Sequence, residues 1–434
     1  MSITIVFAAF LVSLGVLVVG LPVAAVLAGI GLAGGLASLG PRFVDSMGSV
    51  IWGVQNENLL TAIPMFILLG EILLRSGLAD KMYVGLSVWF SRLPGGLLHS
   101  NIGGCALFAA TCGSSVATAA TIGTVALPAL EQRGYDRPRA LGSIAAGGTL
   151  GILIPPSVAM LIYGSLTNNS VGQLFIAGIV PGILLSASFM LYIAVSAKLS
   201  GDTRVPEPRV PLAIKLRKSV DLVPPLIIFG VVMGSLYLGL ATPTESASLG
   251  VVVALALAGI FGRLDWTMLK HCSRQTAVLT GTIILIICGA FILNVTLSLL
   301  GIPQGMTKAI AALSIDPTTI VFILIVFYLI LGCFLEVLSM QVTTIPIVYP
   351  IATAIGIDPI WLGVFIVLMS ELAMITPPVG MNLYVVQSIR HDGGPIGDVI
   401  RGVIPYVFIM IAFTILLWFV PELALWLPRT MAGR

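Results

Sequence analysis

Four acids stand inside or at the edge of apolar stretches of this chain: Glu71 in LLGEILLRSG, Glu245 in ATPTESA, Glu336 in LEVLSMQVTT and Glu371 in ELAMITPP. An ionisable group at membrane depth is costly unless paired or hydrated, so each is a candidate for binding or coupling. Two have an ordinary reading. Glu71 has Arg75 four residues on, the spacing of a helix ion pair, and Glu245 stands where it can cap the first amides of a helix. Glu336 and Glu371 lie beside a Ser/Thr-rich turn and a proline break, which makes them candidates for ion or proton coupling.

Adjacent prolines interrupt two apolar stretches, Pro155 and Pro156 in GTLGILIPPS (148–157) and Pro377 and Pro378 in AMITPPVGMN (373–382). Proline has no amide donor and clashes with the carbonyl four residues back, so a helix must open there. Irregular backbone at membrane depth is tolerable only where protein or a water-filled cavity surrounds it, and the freed carbonyls can bind a cation. Facing the first break is the turn ATCGSSVATAAT (110–121), whose Gly113 permits a tight reversal and whose Ser114, Ser115 and Thr118 offer hydroxyls. Facing the second is LEVLSMQVTT (335–344), where Ser339, Thr343 and Thr344 join Thr376 of the break. Sodium prefers hard oxygen ligands, which carbonyls and hydroxyls supply without a full carboxylate. Two ion sites are expected, with half-helix N-termini between them that favour an anionic substrate group. Thr118, Ser157, Thr343, Glu336, Glu371 and Asn382 are the candidates for substrate contact or coupling.

The elements that must position these residues follow from composition and period. Of 434 residues, 58% are hydrophobic and 9% charged, which identifies an all-α polytopic membrane protein. Runs long enough to span occur near 3–20, 22–40, 59–75, 140–168, 174–197, 221–241, 243–261, 276–299, 360–389 and 398–420. The first, Ile3 to Gly20, reads as a spanning helix rather than a removed signal. Regions 97–131 and 319–353 instead hold two arms of about 15 residues, each reaching only about 23 Å, so each is expected to be a re-entrant hairpin. Loops after residues 75, 131, 197, 261 and 389 hold 17 of the 21 Lys and Arg residues. The positive-inside rule makes that face cytoplasmic and puts both termini outside.

Shifting the sequence by 222 positions superposes Pro128 on Pro350, Gly134 on Gly356, Asp136 on Asp358, and Pro155, Pro156 on Pro377, Pro378. The repeated punctuation divides the chain into a first repeat (1–198; hairpin 97–131, broken helix 140–168), a linker (199–219) and a second repeat (220–434; hairpin 319–353, broken helix 360–389). Five crossings per half is odd, so the second copy lies upside down, the inverted-repeat plan of secondary transporters. Segment 78–92 is short and amphipathic, suited to the interface plane. The basic, proline-punctuated linker reads as a solvated connector.

The stretches GGLLHSNIGGCALFAATCGSSVATAATIGTVALPAL, RGYDRPRALGSIAAGGTLGILIPPSVAMLIYG, ATPTESASLGV and ELAMITPPVGMNLYVV resemble the large membrane subunit of tripartite ATP-independent periplasmic (TRAP) transporters, the DctM-like family, over about residues 5–420. The resemblance implies sodium-coupled uptake of an organic acid (a C4-dicarboxylate, sialic acid or similar carboxylate) across the bacterial inner membrane. It implies delivery by a periplasmic solute-binding protein, support from a small four-helix membrane subunit, and an elevator motion of hairpins and broken helices against a scaffold. Carried over by motif, the first sodium site falls on Ser114, Ser115, Gly151 and Pro155, the second on Ser339, Thr376 and Pro377. Glu336 in GCFLE stands where the family often has an aspartate, and SVAM stands where it commonly has SIPM.

No HExxH, GxSxG or GxxxxGK motif and no paired acidic metal motif occurs, so no enzyme chemistry and no cofactor beyond coupling ions is expected. The five cysteines read as buried thiols, and a net charge of +3 gives no nucleic-acid surface. Lipid is the surrounding medium. The competing readings are a stand-alone divalent-anion/sodium symporter of related fold and a channel.

Overall fold

The computed structural model describes residues 15, 21–200, 210–312 and 315–432. The expected first span, 3–20, lies outside the described residues apart from Gly15. Among the described residues all regular structure is helical, and seven helices are long and apolar enough to cross a membrane.

The punctuation found in the sequence does the same work in both halves. Gly134 and Gly356 take left-handed backbone (φ +66° and +85°) at the ends of the hairpins. Asp136 and Asp358 then cap the broken helices, accepting from the amides of Arg139 (3.1 Å) and of Ile360 and Trp361 (2.8 and 3.1 Å). The first hairpin is Leu97–Cys112 and Ser115–Gln132; the second is Pro317–Gly332 and Val337–Ala354. The second arms have 18 residues each, about 27 Å, longer than expected. Length alone therefore does not separate a hairpin arm from a crossing; the turns do. The first broken helix is Arg137–Gly148 and Val158–Thr167, the second Pro359–Ile375 and Met381–Ser388.

Two groups of helices emerge from the packing. Val23–Leu39 lies along Trp266–Leu299, fastened by the Thr296 hydroxyl donating to the Gly31 carbonyl (2.8 Å), while Pro243–Ile260 packs between Ala62–Arg75 and Val223–Tyr237. These helices carry exposed apolar faces, with Leu226, Val252 and Leu285 all more than half exposed, as suits contact with lipid. The other group is the two hairpins, the broken helices, Val171–Leu199 and Gly397–Phe419. Its centre is buried throughout 141–160 and 360–375 and, Glu371 apart, apolar or small on every side. Arg137–Gly148 crosses Gly397–Phe419 backbone to backbone: a Cβ on Gly142 would lie 2.1 Å from the Gly402 carbonyl oxygen, and one on Gly402 1.8 Å from that of Pro138.

The basic loops collect on one face. Arg137 pairs with Asp392 (3.1 Å), Arg139 donates to Ser200 (2.6 Å), and Lys81 sits 3.7 Å over the Phe261 ring. The opposite loops also meet one another, through Asn169 to the Tyr349 hydroxyl (3.1 Å) and Thr61 with Thr244 (3.3 Å).

Three expectations change. The linker is more than a solvated connector: Leu212–Ser219 is helical and docks on Leu78–Phe90, with Trp89 donating to the Ser219 hydroxyl (2.9 Å), whereas 201–209 lie outside the described residues. The span expected at 276–299 begins ten residues earlier at Trp266, where Asp265 caps it. Short helices Arg42–Gln55 and Ile302–Ala312 were not anticipated; the second stands at the 222-residue offset from Leu78–Phe90.

Candidate functional site

The two hairpin tips and the two breaks meet in the middle of the buried group. At tip one, Gly113 (φ +65°) presses against the break, where a Cβ would come 2.6 Å from the Pro156 carbonyl oxygen. Gly151 lies equally close from the other side: a Cβ there would stand 2.5 Å from the Ser115 Cα and 2.6 Å from its nitrogen. Only glycine permits either approach. Ser114, Ser115, Gly151 and Pro155 are thus brought together, all buried except the half-buried Ser114. Ser114 caps the returning arm through Ala117 N (3.4 Å), Thr118 donates back to the Ser114 carbonyl (2.7 Å), and Ser157 caps the helix after the break through Met160 N (3.3 Å).

At tip two the capping residue is an acid. Glu336 accepts from the amides of Leu338 (3.2 Å) and Ser339 (2.8 Å) and from the Ser339 hydroxyl (2.7 Å). The Cys333 thiol donates to the Pro377 carbonyl (3.4 Å), joining tip to break, while the hydroxyls of Thr376 and Thr343 donate to Leu372 and Ser339 carbonyls (2.7 Å each). Ser339 is buried; Thr376 and Pro377 are half-buried and Pro378 and Val379 exposed. Both proline pairs, 155–156 and 377–378, have a cis bond.

Between the tips lies a cavity of about 390 Å³, bordered by Ser114, Ser115, Glu336 and Leu338 on the hairpins and by Glu71 and Ile283 on the outer helices. A neighbouring cavity of about 220 Å³ is bordered by Glu336, Ser339 and Gly380. Glu336 therefore borders both. The helices beginning at Ser115 and Val337 start at the cavity, so the positive ends of two backbone dipoles meet there.

Glu371 departs most from expectation. It belongs to the second broken helix, yet its carboxylate accepts from the hydroxyl of Ser115 on tip one and from Ile152 N (2.9 Å) in the first break. The first site, expected to lack a full carboxylate, has one beside it. Asn382 likewise crosses between halves, donating to the Ala145 carbonyl (3.4 Å). Gln341, absent from the sequence candidates, is fully buried and donates to Ser370 (3.4 Å). A glutamine two residues past Ser339 in an apolar arm was the signal. The ordinary readings of the other acids hold: Glu245 forms a reciprocal cap with Thr242, and Glu71 faces Arg75 at 3.6 Å. Four of the five cysteines are buried and all are free.

Residues 5–423 match the model of the tripartite ATP-independent periplasmic transporter DctM component. The chain is 34% identical to the C4-dicarboxylate TRAP transporter large permease protein DctM of Pseudomonas aeruginosa over 92% of this chain and 93% of that one. It is 29% identical to the sialic acid TRAP transporter large permease protein SiaM of Vibrio cholerae, over 97% of each. The crystal structure of the Alcanivorax borkumensis YdaH transporter superposes with a TM-score of 0.63 over 90% of this chain and 89% of that one, at 14% identity, a likeness of fold.

Proposed function

Since this chain belongs to the DctM-component family of tripartite ATP-independent periplasmic transporters, as a large permease, we propose that it carries an organic acid across the bacterial inner membrane, driven by sodium. The substrate class is a carboxylate of the C4-dicarboxylate or sialic acid kind. A periplasmic binding protein delivers it, and a small four-helix membrane subunit completes the complex. The loop face rich in Lys and Arg is cytoplasmic.

The observation that supports this reading is the pair of adjoining cavities at the tips, where the hydroxyls of Ser114 and Ser115 border one, that of Ser339 borders the other, and the helix N-termini at Ser115 and Val337 open on the first. One sodium ion is held by Ser114, Ser115, Gly151 and Pro155, the other by Ser339, Thr376 and Pro377, using hydroxyls and carbonyls released where the helices open. The tips treat an anion differently. At tip two the Glu336 carboxylate already occupies the first free amides, whereas tip one is capped by the neutral Ser114 hydroxyl. A substrate carboxylate is therefore received at tip one. Glu71 and Ile283 form the stationary wall, and the hairpins and broken helices move past it as one body in an elevator cycle.

Reconstitution in proteoliposomes with the small subunit tests the proposal. Uptake of a carboxylate should require both the binding protein and an inward sodium gradient. Uptake undiminished without the binding protein would make the chain a stand-alone symporter, and current with neither would make it a channel.

A further inference from the structure

We propose that Glu371 supplies the negative charge of the first cation site from the opposite half of the chain, so that sodium binding there neutralises the tip that receives the substrate anion. The inference rests on the sodium-coupled reading above.

Glu371 is completely buried. One carboxylate oxygen accepts from Ser115 and Ile152, and the other has no hydrogen-bond partner. Among the described residues no cation pairs with it. A buried carboxylate held by two neutral donors, with one oxygen bare, is heavily disfavoured unless a positive charge joins it. The two donors identify where that charge sits: Ser115 belongs to tip one, and Ile152 follows Gly151 in the first break. While it donates its hydrogen bond to Glu371, the Ser115 hydroxyl keeps its lone pairs for a metal ion, and the break supplies carbonyls beside it. A hard cation gathers oxygen ligands of this kind.

The repeat does not account for this arrangement. The residue 222 positions before Glu371 is Thr149, whose hydroxyl donates to the Ala146 carbonyl one turn back (2.6 Å) and lies 3.8 Å from the Met410 sulfur, with no contact to either hairpin tip among its hydrogen bonds. The residue 222 positions before Glu336 is Ser114. Each site thus has one acid, but site two draws it from its own tip and site one from the other half's broken helix. With Glu371 uncompensated, its field opposes an anion at Ser114 and Ser115; with sodium bound it does not. Sodium must therefore precede substrate.

The full chain in lipid nanodiscs is titrated with sodium chloride against choline chloride at constant ionic strength, following the unfolding midpoint and radioactive sodium binding. Wild type should be stabilised by sodium; if it is not, the sodium-coupled reading itself fails. Glu371→Gln keeps size and removes charge. It should lower apparent sodium affinity at least tenfold and lose one bound ion while unfolding in choline no earlier than wild type. A wild-type response that survives unchanged in Glu371→Gln overturns the inference and leaves the reading standing. Should that variant not fold, Glu371→Asp keeps the charge and shortens its reach; a severalfold weaker sodium response supports the inference, and an unchanged one overturns it.

Discussion

The two breaks share a sequence pattern and differ in surroundings. From Gly151 to Met160 every residue of the first is buried; in the second, Thr376 and Pro377 are half-buried and Pro378 and Val379 exposed. The first is closed by glycine on both sides, Gly113 of the tip and Gly151 of the break; at the second the glycine is on the tip alone, where a Cβ on Gly332 would lie 2.2 Å from the Cβ and 2.8 Å from the Cα of Ala373, the residue matching Gly151. Duplication thus preserved the places where helices stop and start, and left each opening to be filled from whatever packs against it. The first is fully buried and meets a carboxyl borrowed from the other half; the second is more exposed and meets the carboxyl of its own cap.

Substitutions can break this contrast. Gly151→Ala should have the largest effect, because the added methyl meets the Ser115 main chain, which cannot yield: a loss of about 3 kcal/mol and of sodium-driven uptake. Ala373→Gly at the matching position should cost only about 1 kcal/mol, measured by thermal unfolding in detergent.

Next come the far ends of the broken helices. After the second, buried Arg390 binds Asp392 and Asp398 (2.8 Å to the latter), and Asp392 also reaches Arg137. Arg390→Ala takes the guanidinium from Asp398 and leaves Asp392 with Arg137 and the Gly394 amide, and should cost about 2 kcal/mol. The Arg390 hydrogen bond holds the Asp392 carboxyl below its ordinary 3.8. A lowered folded-state value means that the stabilisation is complete above the ordinary value and disappears as pH falls through the folded one. The unfolding midpoint of wild type should drop on acidification below pH 3.8 by more than that of Arg390→Ala.

Serine deletions sharpen the comparison of tips. Ser115→Ala removes one of two donors to a fully buried carboxylate and should cost about 2 kcal/mol, whereas Ser339→Ala leaves Glu336 two backbone amides and should cost about 1 kcal/mol. Parallel unfolding curves for the pair would check it; equal losses would abolish the distinction. The smallest effect belongs to Asn168, which ends the first broken helix in left-handed backbone (φ +55°) at the position matching Arg390. Asn168→Ala should lose about 1 kcal/mol, and Asn168→Gly almost nothing.

What the sequence made legible was its punctuation. Pro155, Pro156, Pro377 and Pro378 open helices, Asp136 and Asp358 start them, and Gly134 and Gly356 precede those starts; such effects act within a few residues and survive in any context. The hairpins, broken helices and their repeat could be placed on that basis. Glu371 could not. Its partners Ser115 and Ile152 are 256 and 219 positions away, and only the crossing of two broken helices brings them to it. Glu336 beside Ser339 was readable because cap and capped amides are neighbours. Arg42–Gln55 and the linker helix escaped notice because marginal apolar content becomes a helix only against a partner such as Trp89.

That separation also sets the order in which the chain can be finished. While it is being made, the Ile152 amide enters the bilayer long before residue 371 exists, and the Gly402 strip that covers Gly142 comes later still. The nascent first half must wait, with water, lipid headgroups or an insertion factor shielding its open middle, until the last quarter of the polypeptide arrives to close it.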